Sequence, residues 1–362
     1  MANARRRAPS ATRVVVLVVT LMLVTAACGG GKKAAVGRST TTVTAAPTTT
    51  TVPPQALLTG LPLNDLVKLA RPAVVVKIDN NAAARPQAGL DAADLVYEEV
   101  TEGITRFVVV FQSTDTDPIG PVRSVRPADP LIVSPLDGLL VFSGGAPDIV
   151  ALVRSAGLRY IDENATDALY RRAGRSAPHN LYTDSEKLYR KVGDATAPPK
   201  FAEFLKPGGT YAAPGAVPVA SMSVPMADIT ASYEWDAAAK GWKRSTNGEA
   251  HGLEGGGTWT PNNVIVQYVD YSRFAADAAV TYPEVIGSGE AWYFSNGSLA
   301  KGTWSKAGAS TVTAYADANG APMVFPPGRT VIELAHSDAN VTIEAPPEPV
   351  ATTPASSTTT AR

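Results

Sequence analysis

LVYEEVTEGITRFVVVFQ, residues 95–112, is the stretch that decides the fold. Leu95–Val100 and Thr105–Gln112 are of strand length and rich in β-branched and aromatic side chains. Glu102-Gly103 between them has tight-turn chemistry. The second run, TRFVVVFQ, is apolar at consecutive positions, so both of its faces need cover. A strand of that kind lies inside a layered sheet. Working outward, AVVVKI (73–78) and LLVFS (139–143) are further short apolar strands. Ala146–Ser155 and Ser185–Val192 carry helical patterns, the second with Thr183 or Asp184 as a cap. Residues 57–215 therefore predict an α/β (or α+β) domain built on a mixed sheet.

The pattern changes near residue 215. Ile229–Trp235 and Trp242–Ser245 flank a hairpin-length loop, and NVIVQYV (263–269) is a strong strand. Glu290–Ser295 and Ser298–Trp304 are separated by Asn296-Gly297, the best short hairpin signal in the chain. Thr311–Tyr315, Pro322–Phe325 and Thr330–Leu334 are read as completing a meander. Residues 220–344 thus predict a smaller, mostly-β antiparallel domain. All five Trp residues fall in this half; on alternating strands they read as core more readily than as a sugar-binding platform.

The two ends differ from this middle. Arg5, Arg6, Arg7 and Arg13 precede or open an apolar run, Val14–Val24, that is too short to span a bilayer as a helix. Small residues and then Cys28 follow, so residues 1–27 read as a lipoprotein signal peptide with Cys28 as the lipidation site. The implied partner is the cytoplasmic membrane, bound from its outer face through lipid on Cys28. Residues 28–56 are a Thr/Pro/Gly-rich disordered tether and 345–362 a disordered tail of similar composition.

Composition excludes several classes. Removing residues 1–27 leaves 28 basic against 33 acidic side chains, which is no footprint for nucleic acid. With one Cys there is no internal disulfide and no Cys/His zinc cluster. The three His, at 179, 251 and 336, share no short motif, so no cofactor is expected beyond a possible divalent ion. Ser143-Gly144-Gly145 and Gly255-Gly256-Gly257 match neither a nucleophile elbow nor a phosphate loop and read as turns.

Charge gathers instead near strand ends and Gly/Pro turns of the first domain. Asp79 and Asn80 follow an apolar strand; Arg85 follows them; Glu98, Glu102 and Arg106 flank the hairpin turn. Arg123, Ser124 and Arg126 lie in a Gly/Pro-bounded loop, and His179-Asn180 appears later. Ligands favour strand ends in open α/β sheets. Guanidinium forks suit carboxylate or phosphate, so Arg85, Arg106, Arg123, Arg126, Asn80, Ser124 and Asn180 are candidate ligand-binding residues. Asp79, Glu98, Glu102 and His179 are candidate acids or bases. The same residues could equally be structural ion pairs that tie loops to the sheet.

VVVKIDNNAAARPQAGLDAADLVYEEVTEGITRF (74–107), DPIGPVRSVRPAD (117–129), GGAP (144–147) and HNLY (179–182) resemble the YerB-like bacterial lipoproteins, the domain of unknown function 3048 family. NNVIVQYVDY (262–271) and GSGEAWYFSNGSLAKGTWSKAG (287–308) resemble that family's C-terminal domain. The resemblance spans most of residues 57–335 and implies an exported, lipid-anchored, two-domain protein with no settled activity. Its pattern includes the charged residues singled out above. One departure is Leu253, where the family pattern after His251 has Asp.

Three functions follow as expectations. The first is a cell-envelope protein binding an anionic ligand, such as a wall-polymer fragment, through Arg106, Arg123 and Arg126. The second is an envelope hydrolase using Glu98, Glu102 or Asp79, with His179 or a divalent ion; facing carboxylates would mark it. The third is a scaffold for envelope machinery, in contact with an envelope protein.

Overall fold

The computed structural model describes residues 53–348 apart from Gly208. The signal segment, Cys28, most of the tether and the end of the tail lie outside the described residues. Ten strands form the path of the main sheet: β1 (Val74–Asp79), β2 (Leu95–Thr101), β3 (Ile104–Phe111), β4 (Leu139–Val141), β5 (Arg159–Ile161), β6 (Asn263–Val269), β7 (Gly287–Ser295), β8 (Ser298–Lys306), β9 (Ala314–Asp317) and β10 (Thr330–His336). Their order is β9-β8-β7-β6-β10-β2-β3-β1-β4-β5, with a short strand, Val217–Pro218, added beside β8.

The sheet is mixed, as the sequence predicts. β2 and β3 form the expected hairpin, in register from Leu95↔Val110 to Thr101↔Ile104. Its turn residues Glu102 (φ 54°) and Gly103 (φ 77°) are both left-handed, the twist that matches a two-residue hairpin. Asn296 (φ 50°) and Gly297 (φ 69°) make the same turn between β7 and β8. β1 pairs antiparallel with β3 and parallel with β4, and β4 is parallel with β5.

One element departs from its expected place. Thr330–Leu334 does not close an antiparallel meander. It forms β10, which lies parallel to both β6 and β2. The run TVIELAH is buried along nearly its whole length, and a central position between two parallel partners buries both of its faces. Strands from both sequence stretches therefore share one sheet.

β3 explains why the sheet is layered. Val108 and Val110 join Val75, Val133, Phe142, Ile149 and Val153 in one core. That core is covered by two helices, Asp129–Val133 and Pro147–Ser155. Phe107, Val109 and Phe111 join Val74, Val76, Leu181, Leu188 and Trp259 in a core on the other face. Here Leu188 belongs to the helix Ser185–Tyr189, whose N-cap Asp184 accepts from Lys187 N at 2.8 Å. The C-terminal part adds an antiparallel five-stranded sheet, in the order Glu249–Ala250, Gly241–Thr246, Ile229–Asp236, Ser221–Met226, Thr342–Glu344. Its Met222, Val224, Tyr233 and Trp242 pack on Val264, Val266, Phe294 and Leu299 of the main sheet. Trp242, Trp259 and Trp304 are buried core residues. The first described residues are tied down as well: Gln55 Nε2 donates to Gly60 O (2.9 Å) and Leu205 O (2.8 Å).

Candidate functional site

Register places the charges. At the end of β1, Asp79 lies opposite Arg106 of β3, which lies opposite Glu99 of β2. One rung in, Glu98 sits between Phe107 and Glu333 of β10. Strand alternation then sends neighbouring charges to opposite faces, and two networks result.

The inner network is buried around Glu98, Arg244 and Glu333, with Arg85 half-buried at its edge. Glu98 accepts from Thr105 Oγ1 (2.5 Å), Asn80 Nδ2 (3.0 Å) and Arg244 Nη2 (2.6 Å). Arg244 Nη1 also reaches Glu333 Oε1 at 2.6 Å, and Tyr233 donates to the same oxygen. The guanidinium lies among Phe107, Tyr233 and Trp259, each ring within 5.7 Å of it. Burial opposes the Arg244 charge, but Glu98, Tyr233 and Glu333 more than offset this and raise its pKa. Burial, and then the Glu98 charge, push the Glu333 carboxyl up to about 8 against the pull of Arg244. Asn80 Oδ1 accepts from Arg85 Nε (3.1 Å) and Gln87 Nε2 (3.1 Å). Gln87 Nε2 also donates to Asp79 O, so its carbonyl end faces His251 Nε2 at 2.9 Å. His251 must then donate from Nε2 and accept from Thr246 Oγ1 at Nδ1. Burial, with Arg244 and Arg85 nearby, holds the His251 pKa well below its usual value, so the ring is neutral.

The outer cluster reaches solvent. Arg126 makes a fork to Glu102, with Nη2 at 2.8 Å from both carboxylate oxygens. Its Nε donates to Thr101 Oγ1 (3.0 Å) and its Nη1 to Val125 O (2.9 Å). Arg106 reaches Glu102 and Ser124 O at 3.3 Å each, and its Nε has no acceptor. Burial, with Arg126 beside it, pushes Arg106 down to about 10. Burial alone would raise the Glu102 carboxyl, but hydrogen bonding and charge from Arg126, with Arg106 and Arg123, hold it below the usual carboxylate value. Asp79 Oδ2 lies 2.7 Å from His179 Nδ1 and 3.1 Å from Arg123 Nε, the latter too misaligned to be a hydrogen bond. Arg123 is the accessible member, with its side chain 25% exposed against 4% for Arg106 and 7% for Arg126. Its two terminal nitrogens have no partner among the described residues.

Of the candidates read from sequence, Asp79, Glu102, Arg106, Arg123, Ser124, Arg126 and His179 converge in this outer cluster. Asn80, Arg85 and Glu98 belong to the inner network. Asn180 turns away: its Oδ1 accepts from Arg171 Nη1 at 2.9 Å. Sequence reasoning missed Arg244 and Glu333. A signal existed for both. Arg244 alternates with the buried Trp242 and Thr246, and Glu333 interrupts an apolar strand. It also missed the charged triad behind the cluster, where buried Lys77 pairs with Glu99 and, at 2.7 Å, with Asp129. Burial pushes Glu99 up to about 7, against the pull of Lys77. Among the described residues no cluster of three or more His, Cys, Asp or Glu is arranged to hold a metal ion.

Comparison with known proteins agrees with this architecture. A crystal structure of the YerB protein from Bacillus subtilis superposes with a TM-score of 0.68 at 25% identity, covering 80% of this chain and 99% of that one. The curated protein named "Putative lipoprotein YerB" of Bacillus subtilis (strain 168) is 38% identical over 137 residues, which is 37% of this chain. That alignment spans 41% of the relative's own length. Family models described as protein of unknown function (DUF3048), N-terminal domain and C-terminal domain, match residues 58–198 and 222–332. With both of its domain models matched in order along one chain, this protein belongs to the DUF3048 family.

Proposed function

We propose that this is a lipid-anchored protein of the outer face of the cytoplasmic membrane, and that its three-arginine cluster binds an anionic envelope ligand. The observation that carries the reading is an imbalance of charge at one accessible spot. Among the described residues Arg106, Arg123 and Arg126 make their ion pairs with Asp79 and Glu102 alone, and the Arg123 side chain is the most exposed of the three. Glu102 and Asp79 orient the guanidinium groups, and the positive excess is left for a phosphate or carboxylate. The anchor rests on the Cys28 signal and on the name of the Bacillus subtilis relative.

The same geometry argues against a hydrolase. A carboxyl acting as general acid needs a raised pKa and freedom to meet substrate. Asp79, Glu98 and Glu102 each face a guanidinium instead, and Glu102 is held low. Calorimetric titration of the full-length protein with anionic wall-polymer fragments tests the proposal. Saturable binding is expected, weakened about tenfold or more in Arg123→Ala, since a charge-assisted hydrogen bond contributes about 1.5–3 kcal/mol. Equal binding by the wild type and an Arg123→Ala/Arg126→Ala variant overturns it.

A further inference from the structure

Behind the arginine cluster, three buried side chains that the proposed function does not use meet in one place. Lys77 lies on β1, Glu99 on β2, and Asp129 opens the helix Asp129–Val133. The side chains of Lys77 and Asp129 are 0% exposed and that of Glu99 is 1% exposed. Lys77 is two residues on from Val75 and pairs with Val108, so it shares the sheet face on which those two join Val125 and Ala128 in a core.

The contacts suit reactants as well as an ion triad. Lys77 Nζ donates to Asp129 Oδ1 at 2.7 Å and also to Glu99 Oε1. A nitrogen held against one carboxyl oxygen stands beside the carbon that bears it, and such fixed proximity replaces the entropy cost of an encounter. The other oxygen, Asp129 Oδ2, accepts from the Arg126 backbone N–H at 2.7 Å. That donor is already in place where negative charge gathers when the carbon is attacked. Glu99 Oε2 is buried with no hydrogen-bond partner among the described residues. Burial pushes the Glu99 carboxyl up to about 7, which suits it to give and take a proton near neutral pH. Two carboxyl groups around one ammonium, with one oxygen left unsatisfied, make a costly structural ion pair.

We propose that this triad is a self-modifying site, in which Lys77 Nζ and Asp129 Cγ join in an amide and Glu99 carries the protons. Glu99 first passes one proton from the Lys77 ammonium to Asp129 Oδ1, leaving a free amine and a carboxylic acid. The amine lone pair forms the bond to Cγ, and the π pair of the carbonyl moves onto Oδ2, held by the Arg126 N–H. Glu99 then carries a second proton from the nitrogen to Oδ1. The Cγ–Oδ1 bond breaks, the pair on Oδ2 restores the carbonyl, and Oδ1 leaves as water. An ammonium and a carboxylate have become one amide and one water, with no outside reagent and no change of oxidation state. The bond encloses the β2–β3 hairpin and the loop carrying Arg123 and Arg126, in a chain whose one Cys allows no internal disulfide. It does not depend on the ligand proposed for the arginine cluster.

The test is mass spectrometry of the full-length protein, denatured and digested with trypsin. A branched peptide is expected that joins the Lys77 segment to the Asp129 segment and weighs one water less than their sum. It should be absent from Lys77→Met and from Glu99→Gln, since Gln keeps the size of the side chain but cannot carry protons. Circular dichroism of Glu99→Gln matching the wild type separates lost chemistry from lost folding, and the wild-type digest decides by itself. Separate, unbranched Lys77 and Asp129 peptides from the wild type would leave only an ion triad and end the proposal. So would a branched peptide at wild-type yield in Glu99→Gln, or a water loss that maps to other residues.

Discussion

Arg244 holds two buried carboxyl groups at once, Glu98 and Glu333, with 2.6 Å contacts to each. Removing one partner of such a group leaves charge in a low-dielectric interior without compensation, typically at about 3–5 kcal/mol. Arg244→Met is therefore expected to lower the free energy of unfolding by about that amount, measured by urea titration at pH 7. The acids around it set the sign of a pH dependence. Glu333 is raised to about 8 and Glu99 to about 7, each from an ordinary value of 4.5. Between those values the folded protein holds protons that the unfolded chain has released. Stability must then fall as pH rises from about 6.5 to 8, above the range in which the neutral His251 works the other way, by at most about 1.4 kcal/mol per pH unit for each group. Urea midpoints across that range check this. Glu333→Gln should flatten the slope, and a midpoint that rises with pH contradicts the assignment. None of this pairing was legible in the sequence. Arg244 and Glu98 are 146 positions apart, and a residue type alone does not name a distant partner.

At the scale of elements, the β2–β3 hairpin does two things. Its turn closes the ladder, and it presents Glu102 to Arg126. Gly103 sits at φ 77°, where a side chain is strained. Gly103→Ala should cost about 1 kcal/mol of stability, read from a thermal melt, and should weaken anion binding by displacing Glu102. A variant with unchanged melting and unchanged binding would show that the turn does not position the cluster. This element was readable because its information is local: two apolar runs and a dipeptide suited to left-handed backbone. The same holds for Asn296-Gly297 and for the Asp184 cap. β10 was readable as a strand but not as the parallel neighbour of β2, because hydrophobic pattern reports burial and not partners.

For the whole molecule, β10 is the join. It lies between β2 from the first stretch and β6 from the second, with Leu95↔Thr330 and Asn263↔Thr330 beginning the two ladders. Truncating the chain before Thr330 uncovers two long sheet edges and removes Val331, Ile332 and Leu334 from the cores. Such a chain is expected to lose cooperative unfolding, followed by circular dichroism against temperature; a sharp transition at the wild-type temperature contradicts this. The join also places Glu333 beneath Glu98, so the inner network that backs the arginine cluster exists only when both stretches are present. The candidate site was partly legible for a related reason. Asp79, Arg106, Arg123 and Arg126 lie in the first stretch, at strand ends that pattern reading can locate. The inner network beside them draws Arg244 and Glu333 from the second stretch, and that pairing appears only in the folded chain. On the function proposed above, Arg123 offers its guanidinium to an anion while Arg244 stays sealed inside. The direct test is nuclear magnetic resonance of the full-length protein with 15N-labelled arginine, titrated with inorganic phosphate at constant ionic strength. The Arg123 side-chain signal, assigned by its loss in Arg123→Ala, is predicted to shift saturably while that of Arg244 stays fixed. No shift at Arg123, or equal shifts across all the arginines, would contradict the account.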